Sequence, residues 1–149
     1  MCMYDSGGGW KVFHQTDRRA AKEHRCGECR RTIEKGETYR NTSGLSDDYD
    51  SWSTFHTCAH CQQAIRWLIV ACEGYIYEMT AEDLAEHVTG HESYIRSAAL
   101  TRLVRWQRAG WKDRQAHLRP VEAVRAVTDR AIASYEDRLA AAVAEAVAA

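Results

Sequence analysis

Twenty lysines and arginines against 21 aspartates and glutamates bring this 149-residue chain close to neutrality, so it lacks the bulk attraction of a strongly basic nucleic-acid binder. That length makes one ordinary domain or two small units packed together, and at most part of it needs a metal to fold. No positively charged run leads into an apolar core at the start, and no stretch approaches the roughly 18 apolar residues that span a bilayer, which sets the expectation of a soluble cytoplasmic protein with no membrane partner.

Residues 1–9 contain three successive glycines, which are costly to order and bring no side chain to pack, so they read as a loose terminus. Trp10, Val12 and Phe13 are the first anchors. The charged run DRRAAKEHR at 17–25 is rich in helix formers and predicts one or two helical turns. After the cysteine pair at 26–29, Ile33 and the segment Glu37, Thr38 and Tyr39 flank Lys35-Gly36, a turn signal that predicts a short hairpin. Residues 41–54, polar with aromatic interruptions, read as an exposed loop leading through Trp52 and Phe55 into a second cysteine pair.

From Ala59 the period changes: Ile65, Leu68, Ile69 and Cys72 recur at helical spacing, and Gly74 stops the helix. Thr80, Glu82 and Asp83 form the cap and acidic first turn of a short helix to about Val88. A longer helix is predicted from Glu92 to Ala109, with Ile95, Ala98, Ala99, Leu103 and Trp106 on its apolar face and Gly110 at its end. Pro120 opens the last helix, because the first helical turn has no use for the N–H that proline lacks. Val124, Val127, Ala131, Tyr135, Leu139, Ala142 and Ala146 line up along it.

The two pairs, CGEC at 26–29 and CAHC at 58–61, carry the strongest chemical signal. Each C-x2-C grips one ion through a tight turn, and Cys26, Cys29, Cys58 and Cys61 together complete the tetrahedron of one structural Zn2+. The 28 residues between the pairs leave room for the hairpin and loop that bring them together. A disulfide or redox arrangement is the alternative, though thiolates in a reducing compartment more often hold metal. Full thiolate coordination argues against a water-activating zinc and for folding energy as the role of the ion. Arg25, Arg30 and Arg31 beside the first pair offset the negative charge of four thiolates.

The order C-x2-C, I-x-x-G-E-x-Y, then C-x2-C at a helix start resembles the treble-clef zinc finger. In that likeness Cys26 and Cys29 are the knuckle pair, Ile33, Gly36, Glu37 and Tyr39 the hairpin, and Cys58 and Cys61 the helix-borne pair. The wording HRCGECRRTIEKGETYR followed by CAHC also resembles small zinc proteins of bacteriophages that infect actinobacteria. It covers about residues 20–72. The fold class expected is therefore α+β, with a zinc-centred treble-clef-like unit at 10–75 and a helical packing or interaction region at 76–149. With few large apolar residues, that region must pack back on the zinc unit or against a second chain, so a homodimer is one expectation.

Outside the cysteines the candidates are weaker. His56 and His60 border the second pair as substitute ligands or supporting groups. His87 and His91 lie four apart near Glu86 and Glu92, but Gly90 breaks the helix that H-E-x-x-H chemistry requires, and no nuclease-like histidine and asparagine pairing is evident, so an enzyme is the weaker reading. Residues 91–119 carry seven basic and two acidic side chains; Arg102, Arg105 and Arg108 are placed to meet phosphate, with Trp106 or Trp111 to stack. Tyr49, Trp52 and Phe55 beside Asp47, Asp48 and Asp50 offer an aromatic docking surface set among acids. These features predict a noncatalytic zinc-stabilised protein-interaction or regulatory module whose helical region supplies a docking face, with a bacterial host protein as the partner the phage resemblance implies. A nucleic-acid-binding regulator using the basic helix around 96–114 is the alternative.

Overall fold

The computed structural model describes residues 10–46, 51–72, 84–85, 88, 97–112 and 118–149. Five strands precede the helices: β1 (Trp10–Arg19), β2 (His24–Arg25), β3 (Thr32–Ile33), β4 (Thr38–Ser46) and β5 (Trp52–Cys58). Helices α1 (Ala59–Cys72), α2 (Ala98–Arg108) and α3 (Val121–Ala148) follow. The chain is thus mixed α and β, with a three-stranded antiparallel sheet in the order β1-β4-β5 and a separate two-stranded ribbon of β2 and β3.

Three sequence expectations fail in the strand region. The run 17–25 is not helical: Asp17, Arg18 and Arg19 finish β1, and His24 and Arg25 form β2. Cross-strand pairing outweighs helix propensity there. Asp17 sits opposite Arg40 and pairs with it at 2.9 Å, and Arg19 Nε donates to the carbonyl of Gly36 at 3.1 Å. Residues 41–54 are not one exposed loop either, because their threonines and serines continue β4 and open β5 in register, Thr42 opposite Phe55 and Ser43 opposite Thr54. The Lys35-Gly36 turn is present, closed by the Glu37 N–H donating to the Glu34 carbonyl and using the left-handed φ of +93° at Gly36. It does not join a hairpin, since β3 pairs back with β2 while β4 lies between β1 and β5.

The helices match the predicted order with shifted faces. In α1 the buried side is Ala64, Ile65, Trp67 and Leu68, and Ile69 is exposed; Trp67 replaces it and meets Tyr135 edge-on. Ser97 caps α2, its side chain accepting from the Leu100 N–H, and residues 92–96 lie outside the described set. Leu100, Leu103, Val104 and Gln107 face inward, so the stripe is turned away from Ala98, which is exposed, and from Trp106, whose ring carries the Arg119 guanidinium at 5.1 Å. Pro120 stands at the start of α3 as expected, and Val124, Val127, Thr128 and Ala131 are buried along its first half. Residues 84, 85 and 88 are helical; the rest of the predicted 80–88 helix lies outside the described residues.

One buried cluster runs through the molecule, joining Ala20, Cys26, Ile33 and Tyr39 to Trp67 and Leu68 of α1, Leu100 and Leu103 of α2, and Val124 and Val127 of α3. The helices after residue 76 therefore pack onto the cysteine-bearing half within the same chain.

Candidate metal centre

The first pair lies in a tight turn between β2 and β3. The Arg31 carbonyl accepts from the Cys26 N–H at 2.9 Å, and the Cys26 carbonyl accepts from the Arg30 N–H at 3.0 Å. Closing that turn puts Arg30 at φ +62°, a left-handed conformation that costs a non-glycine residue about 1–2 kcal/mol. The Gly27 N–H donates to the His56 carbonyl at 2.9 Å, which pins the turn against β5. The second pair straddles a junction: Cys58 ends β5 and Cys61 lies in the first turn of α1.

These two junctions bring four sulfurs together. All ligand atoms of Cys26, Cys29, Cys58 and Cys61 lie within 4.8 Å of one another, with Cys26 to Cys61 and Cys29 to Cys58 both at 3.9 Å. A disulfide needs sulfurs about 2.05 Å apart, so these are free cysteines. A thiolate-bound ion with bonds of about 2.3 Å makes a tetrahedron whose edge is about 3.8 Å. The two 3.9 Å separations fit that edge, and the four residues suit one four-coordinate ion.

The surroundings are also those of a thiolate cluster. The Cys58 N–H points at Cys26 Sγ and the Cys61 N–H at Cys58 Sγ, each at 3.4 Å, and the indole N–H of Trp111 donates to Cys61 Sγ at 3.1 Å. Such donors spread the negative charge of a sulfur-ligated ion and hold the ligands in place. As bare thiols the four share protons unequally. Hydrogen bonding, led by Cys29, lowers Cys26. Burial opposes the Cys58 thiolate, but hydrogen bonds with the other three sulfurs, led by Cys26, hold it well below the ordinary thiol range. Its hydrogen bond with Cys26 pushes Cys29 up, and burial pushes up Cys61. An entering ion must displace the protons that remain.

Arg31 and His60 extend the site. Burial works against the Arg31 charge, yet Glu37 and the negative charge at Cys58 outweigh it and hold the guanidinium protonated. Arg31 Nη2 donates to Glu37 Oε2 at 2.8 Å, and Arg31 Nη1 donates to the Thr32 carbonyl at 2.7 Å. His60 Nε2 lies 2.6 Å from the Arg119 carbonyl, so Nε2 carries the proton and Nδ1 accepts from Arg31 Nη2 at 3.3 Å. His60 is thereby a supporting group and not a ligand. His56 packs instead against His24 and Tyr39, ring centroids 4.5 and 5.5 Å away; burial, with the charges of His24 and Lys22, lowers its pKa.

Of the other candidates, Arg102, Arg105 and Arg108 are exposed on α2, and Trp52 is 57% exposed at the start of β5. Trp111 is fully buried and so is not free to stack on a base, and Trp106 is covered by Arg119. Tyr49, His87, His91 and the acids at 47, 48 and 50 lie outside the described residues. Sequence reasoning missed Trp111 and Gln107, whose Nε2 lies 3.5 Å from the Glu28 carbonyl in the knuckle. Neither carries a local signal, because each reaches the cysteines from a distant part of the chain. The chain matches no protein-family model, no curated protein and no solved structure. No helix among the described residues is long and apolar enough to cross a membrane.

Proposed function

We propose that this chain is a noncatalytic, zinc-stabilised interaction module of the regulatory kind, its cysteine-bearing half organised as a treble clef. The observation that carries the reading is the closed sulfur tetrahedron: four cysteines, three of them fully buried, with the Trp111 indole against one sulfur, leave no coordination position for substrate or water. A tetrahedral set of four thiolates suits zinc or an iron–sulfur centre, and a single ion at this spacing favours zinc. The order knuckle turn, β4–β5 hairpin, helix-borne pair supports the treble-clef reading.

The docking face proposed is the far end of the sheet, where Val12, Leu45 and Trp52 stand opposite one another on adjacent strands, with Val12 and Trp52 exposed. An exposed tryptophan at a strand edge is the kind of anchor that dominates protein interfaces. The resemblance to actinobacteriophage zinc proteins makes a bacterial host protein the partner, and the reducing bacterial cytoplasm the place where thiolates keep their metal.

Metal analysis of native protein should find one zinc per chain in a colourless sample. Absence of metal would sink the reading, and an iron chromophore would reassign the ion. The substitution Trp52→Ser should abolish capture of a host protein from nuclease-treated extract while metal content stays at one ion. Light scattering that shows a dimer broken by Trp52→Ser would instead give the face to a second copy of the chain.

A further inference from the structure

The outer face of α2 is built differently from the other exposed helix surfaces. It consists of Ala98, Thr101, Arg102, Arg105 and Arg108, all exposed, and the helix contains no carboxylate. Successive arginines are three residues and about 4.5 Å apart along the axis, and they sweep through about 120° of the solvent side. Three arginines elsewhere are matched by carboxylates, Arg40 with Asp17, Arg66 with Asp129 and Arg31 with Glu37. The exposed side of α3 likewise mixes signs, with Glu122, Arg125, Asp129, Arg130, Glu136 and Asp137 interspersed. None of the three α2 arginines forms an ion pair with a described residue. Favourable interaction with the negative end of the helix accounts for Arg105 and Arg108 in the last turn, but not for Arg102. Lys112, also exposed, follows four residues after Arg108, just beyond the end of the helix.

We propose that Arg102, Arg105 and Arg108, with Lys112, form a binding surface for the phosphodiester backbone of a nucleic-acid duplex. Ala98 and Thr101, the other exposed residues of this face, add little bulk beside the arginines, and guanidinium groups pair with phosphate oxygens in a forked geometry. This face meets the phosphodiester backbone and not the base edges, so recognition is independent of sequence. It offers no open aromatic ring for unpaired bases, because Arg119 covers Trp106 and Trp111 is buried. Duplex is therefore preferred to single strand. This surface is independent of the sheet end proposed for protein docking.

The test is fluorescence anisotropy of the full, metal-loaded chain with a 20-base-pair DNA duplex, the matching RNA duplex and the single strands, over a series of salt concentrations. The triple variant R102Q/R105Q/R108Q should lose at least tenfold in duplex affinity at low salt. The slope of log K against log salt should fall in magnitude by about 2.7 on DNA, about 0.9 for each lost phosphate contact. Metal content and the thermal transition of the variant should match those of the parent, which separates loss of the face from loss of the fold. The R125Q/R130Q variant on α3 should bind as the parent does. DNA and RNA arms identify which duplex is held more tightly, and binding to either supports the surface. Equal binding by the triple variant, an equal loss in R125Q/R130Q, tighter binding of single strands, or polyglutamate bound as tightly as duplex would each overturn the proposal.

Discussion

Trp111 does two things at once: its ring fills the space beside the cysteines, completely buried, and its N–H ends on Cys61 Sγ. Trp111→Phe separates the two by keeping most of the ring and removing the donor. The expected result is a 10- to 100-fold loss of metal affinity, the usual effect of removing a group that supports a ligand, read by competition with a chromophoric chelator. Arg31 is a second such point. Arg31→Lys keeps the charge but cannot hold Glu37 in a fork while also reaching His60 Nδ1, so one buried acceptor is left without its partner. A stability loss of about 1–3 kcal/mol in urea unfolding is expected, with metal content unchanged. At this scale the four-cysteine cluster was legible because C-x2-C spacing is a local pattern. His60 was legible as a supporting group from its place inside the second pair, but Trp111 and Gln107 were not, because a supporting contact from a distant part of the chain is defined by the partner it meets after folding and leaves no spacing behind.

Helices α2 and α3 show how far periodicity carries. The first half of α3 was read correctly, since Val124, Val127 and Ala131 are all buried at helical spacing. The face of α2 was read in part: Leu103 is buried and Ala99 and Trp106 pack at the edge of the core, but Leu100 and Val104 were missed and Ala98 is exposed. The strands were harder still. All of β1 from residue 11 to 19 is exposed, so it has no buried alternating stripe from which a strand is recognised. Its place is fixed by pairing with β4 and by polar contacts such as Asp17 with Arg40, neither visible in a single segment. The contrast between packed and unpacked helix surface gives a direct test. Leu103→Ala, at a fully buried position, should cost about 2–5 kcal/mol in chemical unfolding. Val147→Ser, at 83% exposure near the end of α3, should change stability by less than about 0.5 kcal/mol.

For the molecule as a whole, the decisive arrangement is that both halves of the chain meet at the sulfur cluster. The knuckle reaches the helical half through the Glu28 carbonyl and Gln107, the second cysteine pair reaches it through Cys61 and Trp111, and His60 reaches it through the Arg119 carbonyl. Gly110 fits between these contacts, its left-handed φ of +66° letting the chain turn 3.8 Å from the Cys29 carbonyl, measured from where a Cβ would stand. On the proposed reading, removing the ion would expose four thiolates to mutual repulsion and loosen the two turns that carry them. Every one of these cross-chain contacts is anchored within three residues of a ligand, so metal loss should not remain local. Hydrogen exchange on chelated protein should show protection lost together in 24–33, 58–61, 107–112 and 118–119, while the β1–β4 ladder and the middle of α3, which lean on other contacts, keep more of theirs. Loss confined to 24–33 would mean that the helical half holds its position without the metal, and that the Trp111 and His60 contacts follow the packing of α1 and α3 and do not cause it.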